Sequence, residues 1–152
     1  MIEPRISPQL PDWIKEHLRN YLASDGENGH LWDASLGGGS GMIPTLLLTT
    51  TGRKSGEALT LPLIYGSSGN SYVVIASKGG APAHPAWYLN LQASPEVGVQ
   101  VKAKRFNARA RTATGAERTA LWNKLVAIYS PYEKYQVFAG DREIPVVVLD
   151  PV

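Results

Sequence analysis

The chain of 152 residues contains no cysteine. Disulfides, thiolate metal sites and cysteine nucleophiles are therefore excluded, and a reducing, cytoplasmic setting is consistent with that. Charge is sparse: 18% of residues are Asp, Glu, Lys or Arg, and the formal net charge is only +2. That balance does not describe a nucleic-acid binder. No apolar run approaches a membrane span, and no signal peptide with an apolar centre opens the chain. His17, His30 and His84 have no metal-type spacing and stand with no acidic cluster, so no metal is expected. There is no G-x-S-x-G elbow, and no pair of carboxylates stands out as acid and base. No internal repeat is visible. What the chain lacks, then, is obvious side-chain chemistry of its own.

What it has is concentrated in residues 46–56, LLLTTTGRKSG. An aliphatic and threonine run with β propensity ends in Gly52, Arg53, Lys54, Ser55 and a second glycine, and another strand follows. Glycines let backbone amides point into one small space, and two cations add positive charge. The combination suits a phosphate or a multiply charged anion. A hairpin turn with solvated charges is the plainer alternative. It is neither a P-loop nor, with Gly39 and Gly41 before Pro44, a dinucleotide fingerprint. A second glycine-bearing cationic turn, residues 77–80 (SKGG), follows a run of β-branched residues.

In chain order, residues 1–8 read as a loose arm. Pro11 opens a helix carrying Ile14, Leu18, Tyr21 and Leu22 at helical spacing. That helix either packs on the core or also touches a bilayer surface. Residues 24–41 read as a loop, with Trp32 a core plug or a pocket wall. Strands are expected over 44–51, 57–65, 71–77, 97–101, 104–113 and 144–149, the last central. Pro62 marks its strand as an edge or a bulge. A short helix covers 85–93. Arg105, Arg109 and Arg111 share one face of their strand, either solvated or offered to an anionic partner. Thr114 and Glu117 have capping-box spacing before a helix, and a further helical piece bears Tyr132 and Tyr135.

These elements predict an α+β chain, folded overall as one domain. A helix and Gly-rich loop over 1–43 precede a mainly antiparallel, six-stranded split β-barrel over 44–152, flavin-reductase-like, with flanking helices. The cationic turns, the pair Trp87–Tyr88 and three tyrosines in seven residues suit a flat anionic cofactor that performs the chemistry itself.

TTTGRKSG, ASKGG, PAWYLNL, the Tyr129, Tyr132, Tyr135 triplet and the terminal IPVVVLDP together resemble the deazaflavin-dependent nitroreductase and quinone reductase family of actinobacteria. The resemblance covers residues 44–151. It implies a split barrel that binds coenzyme F-420, an 8-hydroxy-5-deazaflavin with a phosphodiester and an oligoglutamate tail. It assigns Arg53, Lys54, Ser55 and Lys78 to the phosphate region. Along the deazaflavin it places Leu59, Thr60, Leu61, Pro62, Leu63 and Ile64, with Ile75, Ala76 and Ser77, and Ala86, Trp87, Tyr88, Leu89 and Asn90. It gives Tyr129, Tyr132 and Tyr135 to the substrate. Tyr132, with Ser77 second, is the expected hydrogen-bond donor to the acceptor. The implied activity is hydride transfer to a quinone such as menaquinone or to a nitroaromatic. Alternatives are a non-catalytic deazaflavin carrier and a flavin mononucleotide enzyme on the same fold. The chain departs from the family pattern at Leu59, often Arg, and at Ile64, often Tyr; Tyr65 beside it faces the other way. Peripheral contact with the inner face of the cell membrane, through the N-terminal helix, is the expected location beyond the cytoplasm.

Overall fold

A computed structural model describes Arg5, Ile6 and residues 10–152. Most of the expected arm of residues 1–8 lies outside the described residues, but Arg5–Ile6 form a short strand, β1. Helix α1 (Asp12–Ser24) starts behind Pro11. The expected loop of 24–41 is partly ordered: it holds strand β2 (Leu31–Asp33) and a 3-10 turn (Ala34–Gly37). Next come β3 (Met42–Thr51), β4 (Ala58–Ile64), β5 (Gly66–Ser68) and β6 (Ser71–Ile75). Helix α2 (Ala86–Ala93), β7 (Glu96–Val101), β8 (Lys104–Thr112), α3 (Gly115–Ile128), α4 (Pro131–Ala139) and β9 (Val146–Pro151) complete the chain.

The six expected strands are β3, β4, β6, β7, β8 and β9, and three short ones join them. The sheet runs β1-β4-β3-β7-β8-β9-β6-β5, with β2 paired to β3. All its pairs are antiparallel except β1 with β4. As expected, β9 is central: it lies between β8 and β6, and Val146, Val147, Val148 and Leu149 are buried. Pro62 is in register with Leu47, and β1 pairs β4 only at Leu59 and Thr60. The other side of β4 is thus open at Pro62, where a missing N–H costs no ladder bond.

β4 and β6 are not paired in the sheet, which leaves the barrel split. Side chains fill its interior instead. Leu46, Leu48, Val74, Ala76, Val97, Val99, Val147 and Leu149 meet Trp87, Tyr88 and Leu91 of α2, with Leu61, Leu63, Tyr65 and Tyr72 packed against them. Tyr65 and Tyr72 make an edge-to-face pair 5.6 Å apart, and Tyr65 lies 2.9 Å from the His30 ring nitrogen. A second cluster lies under α3 and α4, and a third joins α1 to β3.

Tyr21 fixes α1. Its buried hydroxyl donates to Thr45 O at 3.0 Å and accepts from Lys102 N–H at 2.9 Å, joining the helix to β3 and to the β7–β8 turn. Tyr21→Phe leaves both backbone groups short of a partner. A loss of about 1–3 kcal/mol is expected, read as a melting temperature lower by roughly 2–10 °C for a chain of this size.

Two local expectations are corrected. The Thr114 side chain makes no cap hydrogen bond. Glu117 instead reaches Arg111 with both carboxylate oxygens, at 2.6 and 3.0 Å. The basic face of β8 is also not free for an anionic partner. Arg111 pairs with Glu117 and Asp150, Arg109 with Glu96 and Arg105 with Asp25. Exposed pairs of this kind contribute little stability, but they neutralise the face.

Candidate functional site

The first cationic turn follows β3. Gly52 N–H donates to Glu57 O (2.7 Å), Gly56 N–H to Gly52 O (2.8 Å), and Glu57 N–H to the Ser55 hydroxyl (3.1 Å). Asn90 of α2 holds the turn from below: its Oδ1 accepts from Arg53 N–H (3.2 Å) and from the Arg53 guanidinium (2.9 Å), while its amide donates to Thr50. Arg53, Lys54 and Ser55 are exposed at the tip.

The second turn follows β6. Ser77 has right-handed helical dihedrals, and Lys78, Gly79 and Gly80 all have positive φ, at 48°, 63° and 83°. A helical residue followed by a left-handed one turns successive N–H groups toward one point, a concavity that suits an anion. Lysine at positive φ is uncommon and costs energy, so the surroundings must hold it. α4 supplies part of that hold. A Cβ on Gly80 would stand 2.6 Å from Tyr135 O and 2.9 Å from Phe138 Cβ. Ser77 and Lys78 are thereby brought beside the tyrosine-bearing helix.

The first turn is pinned to Asn90 of α2, and the second is packed against α4. Arg53, Lys54 and Lys78 have no carboxylate partner among the described residues, unlike the β8 arginines.

The tyrosines divide their roles. Tyr129 is buried against Trp32, Tyr132 and Tyr135. Its hydroxyl donates to Gly37 O (2.9 Å) and lies 3.0 Å from the Tyr135 hydroxyl, so Tyr135 donates to it. A Cβ on Gly37 would overlap that Tyr129 hydroxyl, and one on Gly39 would stand 3.0 Å from the ring. The Gly-rich loop therefore exists to seat Tyr129, and Trp32 is part of the same wall. Tyr132 is buried among Trp122, Tyr129 and Tyr135. Its hydroxyl makes no hydrogen bond to any described residue. Burial pushes its phenol far above the ordinary range. It therefore stays protonated.

Not every residue assigned from the sequence faces one space. Along β4, Leu61 and Leu63 point into the barrel while Thr60 is buried on the opposite face, against the Thr49 hydroxyl at 2.6 Å. Leu59 abuts the Gly52 turn. Ile64 and Ile75 pack toward α3 and α4, and Ala76 toward the barrel. Trp87 and Tyr88 are barrel core, with Tyr88 bonded to Thr112, and Asn90 is committed to Arg53. On α2, Ala86, Gln92 and Ala93 are exposed and Leu89 is partly so. A groove of about 380 Å³ lies elsewhere, on the sheet face turned away from the barrel interior, lined by Thr49, Thr51, Gly98, Gln100 and Asn107. Sequence reasoning missed Arg142, whose guanidinium braces the second turn; an isolated arginine in a loop carries no pattern.

The chain is thus a split barrel with two cationic glycine turns, the second packed against the tyrosine-bearing α4. The family model described as F-420H(2)-dependent quinone reductase matches residues 13–151. An F-420H(2)-dependent quinone reductase of Mycobacterium tuberculosis is 37% identical over 153 residues, covering 97% of this chain and 94% of that protein. A solved F-420-H2-dependent reductase (FDR-A) is 42% identical with a TM-score of 0.65, over 70% of this chain and 94% of that one. A solved domain-swapped dimer is 38% identical with a TM-score of 0.68, over 95% of this chain and 100% of that one. A heme storage protein of Vibrio cholerae, 16% identical with a TM-score of 0.54, shares the fold alone. The chain belongs to the F-420H(2)-dependent quinone reductase family. It is an oxidoreductase whose cofactor is coenzyme F-420; the carrier and flavin mononucleotide alternatives are not favoured.

Proposed function

We propose that the chain reduces a membrane-type quinone, and nitroaromatics secondarily, in a site bounded by the two cationic turns and the α4 tyrosines. The observation that supports this reading is the second turn, with Lys78 and Ser77, packed against the helix that carries Tyr132, whose buried hydroxyl bonds to no described residue; Arg53, Lys54 and Lys78 have no carboxylate partner among the described residues. Arg53, Lys54 and Lys78 fit the phosphodiester and polyglutamate of the cofactor, and Leu59, Leu61 and Leu63 offer an apolar edge to its ring. When bound, the reduced deazaflavin supplies a hydride from carbon 5. The protein holds the acceptor over that position, excludes water, and presents the Tyr132 hydroxyl to the acceptor oxygen, with Ser77 close by on the second turn. The phenol is too weak an acid to surrender its proton outright, so it stabilises developing charge and solvent completes the hydroquinone.

Mixing the protein with reduced F-420 and menadione, and following recovery of the oxidised deazaflavin band, tests the activity. Turnover is expected; no oxidation with quinones or nitroaromatics contradicts it. Lys54→Ala and Lys78→Ala are each expected to weaken cofactor binding by roughly fivefold to tenfold at low salt, equivalent to about 1–1.4 kcal/mol. The difference narrows as salt screens it. Unchanged affinity in both variants would place the anionic groups elsewhere.

A lipid surface fits the opposite wall of the tyrosine cluster. Trp13 stacks on Trp32 at 6.3 Å, and Trp13, Leu31, Leu36 and Met42 are all exposed apolar residues of α1, β2, the turn after it and β3. No helix among the described residues is long and apolar enough to cross a membrane. Contact is therefore of the interfacial kind. Cosedimentation with anionic vesicles, lost in Trp13→Ser, is the expected result.

A further inference from the structure

We propose that Arg142 is a positioning residue for the cofactor site: its guanidinium fork holds the strained Ser77–Gly80 turn in a binding-competent shape, with His84 as the fourth acceptor. The inference rests on the cofactor reading above.

Arg142 lies in the loop between α4 and β9, 61 residues from the nearest carbonyl it binds. Its Nε donates to Ala81 O at 2.9 Å, one terminal nitrogen to Ser77 O at 2.7 Å, and the other to Ala76 O at 3.2 Å and to His84 Nδ1 at 3.0 Å. A single planar group therefore ties down both ends of a turn in which three consecutive residues have positive φ. It is half-buried and makes no ion pair with any described carboxylate. Its role is to satisfy carbonyls, not to neutralise a charge.

This matters because a turn with lysine and two glycines in left-handed conformations does not hold that shape unaided. The amides of the turn face an anion only while the left-handed run persists. α4 restrains the turn from one side, through Tyr135 and Phe138 against Gly80. Arg142 restrains it from the other. Loss of the Arg142 brace lets the free turn relax, at a cost in cofactor affinity; a seated cofactor restores its shape, so turnover changes little.

Arginine is always a donor, so His84 Nδ1 must accept and the neutral ring carries its proton on Nε2. The groups facing His84 are Arg142 and the Tyr88 ring, whose centroid is 5.0 Å away. A fork that spans carbonyls on both sides of a turn cannot be copied by lysine, a point donor on a flexible stem.

The test compares the wild-type protein with Arg142→Lys, Arg142→Met and His84→Phe. Affinity for oxidised coenzyme F-420 is read by fluorescence quenching, and amide hydrogen exchange of residues 76–84 is read in the cofactor-free protein. Both Arg142 variants are expected to bind roughly tenfold more weakly or worse. Exchange across 76–81 should quicken, and turnover at saturating cofactor should stay within about twofold of wild type. His84→Phe, which keeps the ring packing and removes one acceptor, is expected to weaken binding by about twofold to threefold. It remains a full test if the Arg142 variants do not fold: unchanged affinity and unchanged exchange in it overturn the proposal. Wild-type affinity in Arg142→Lys would also overturn it, because charge alone would then suffice. If the wild-type protein does not bind F-420 at all, the cofactor reading fails. Exchange in the 76–84 segment still decides whether Arg142 holds the turn.

Discussion

Gly80→Ala is expected to lower kcat/KM for quinone reduction by about a hundredfold. Two effects combine. Alanine at a φ of 83° is strained, at a cost of about 1–3 kcal/mol. Its Cβ would also stand 2.6 Å from Tyr135 O and 2.9 Å from Tyr135 Cα. Those are backbone atoms of a helix and cannot swing aside, so overpacking adds about 1–3 kcal/mol. The turn must shift away from α4, carrying Ser77 and Lys78 with it. A displacement of about 1 Å at a positioning element is enough for a hundredfold loss. Gly79→Ala is the control. It is strained by its φ of 63° but meets nothing within 4 Å, so only a mild loss is expected. Equal kinetics in the Gly80 and Gly79 variants would show that contact with α4 does not position the turn.

Tyr132→Phe is expected to lower kcat by about 10²–10³-fold, the usual effect of removing one donor aimed at developing charge. Cofactor affinity should be unchanged, because the cationic turns are untouched. Stability should hardly move, because the hydroxyl engages no described residue and the ring stays packed against Trp122, Tyr129 and Tyr135. Tyr129→Phe makes the contrast. It removes the donor to Gly37 O and the acceptor for Tyr135, so there the loss falls on melting temperature. Burial keeps the Tyr132 phenol protonated across the physiological range. Tyr132 therefore adds no ionisation to the pH–rate profile below the alkaline region. A Tyr132→Phe protein with full kcat would remove this residue from the chemistry.

The strands were legible because their residue types alternate or run apolar with period two, and the six long ones stand where that pattern puts them. The cationic turns were legible for a related reason: Gly52, Arg53, Lys54 and Ser55 between two strands have few structural uses. What was not legible depends on contacts between distant residues. Trp87 and Tyr88 looked like ligand-facing aromatics, but an eight-residue helix plugging a split barrel needs large side chains inward, and that need is invisible along the helix itself. Thr114 and Glu117 had capping-box spacing, yet Arg111 on the preceding strand offered Glu117 a bidentate partner and won it. Within the expected loop of 24–41, Gly37 gave no sign that its lack of a side chain makes room for a tyrosine 92 residues later. Arg142 carried no signal because its four acceptors are supplied by a segment some sixty residues away.

The most direct measurement is an equilibrium titration of the protein with oxidised coenzyme F-420 and, in parallel, with flavin mononucleotide. Saturable F-420 binding that weakens with salt and weakens again in Lys54→Ala and Lys78→Ala, alongside no saturable flavin mononucleotide binding, is the predicted result. Flavin mononucleotide binding more tightly than F-420, or F-420 affinity indifferent to both lysines, would contradict the account.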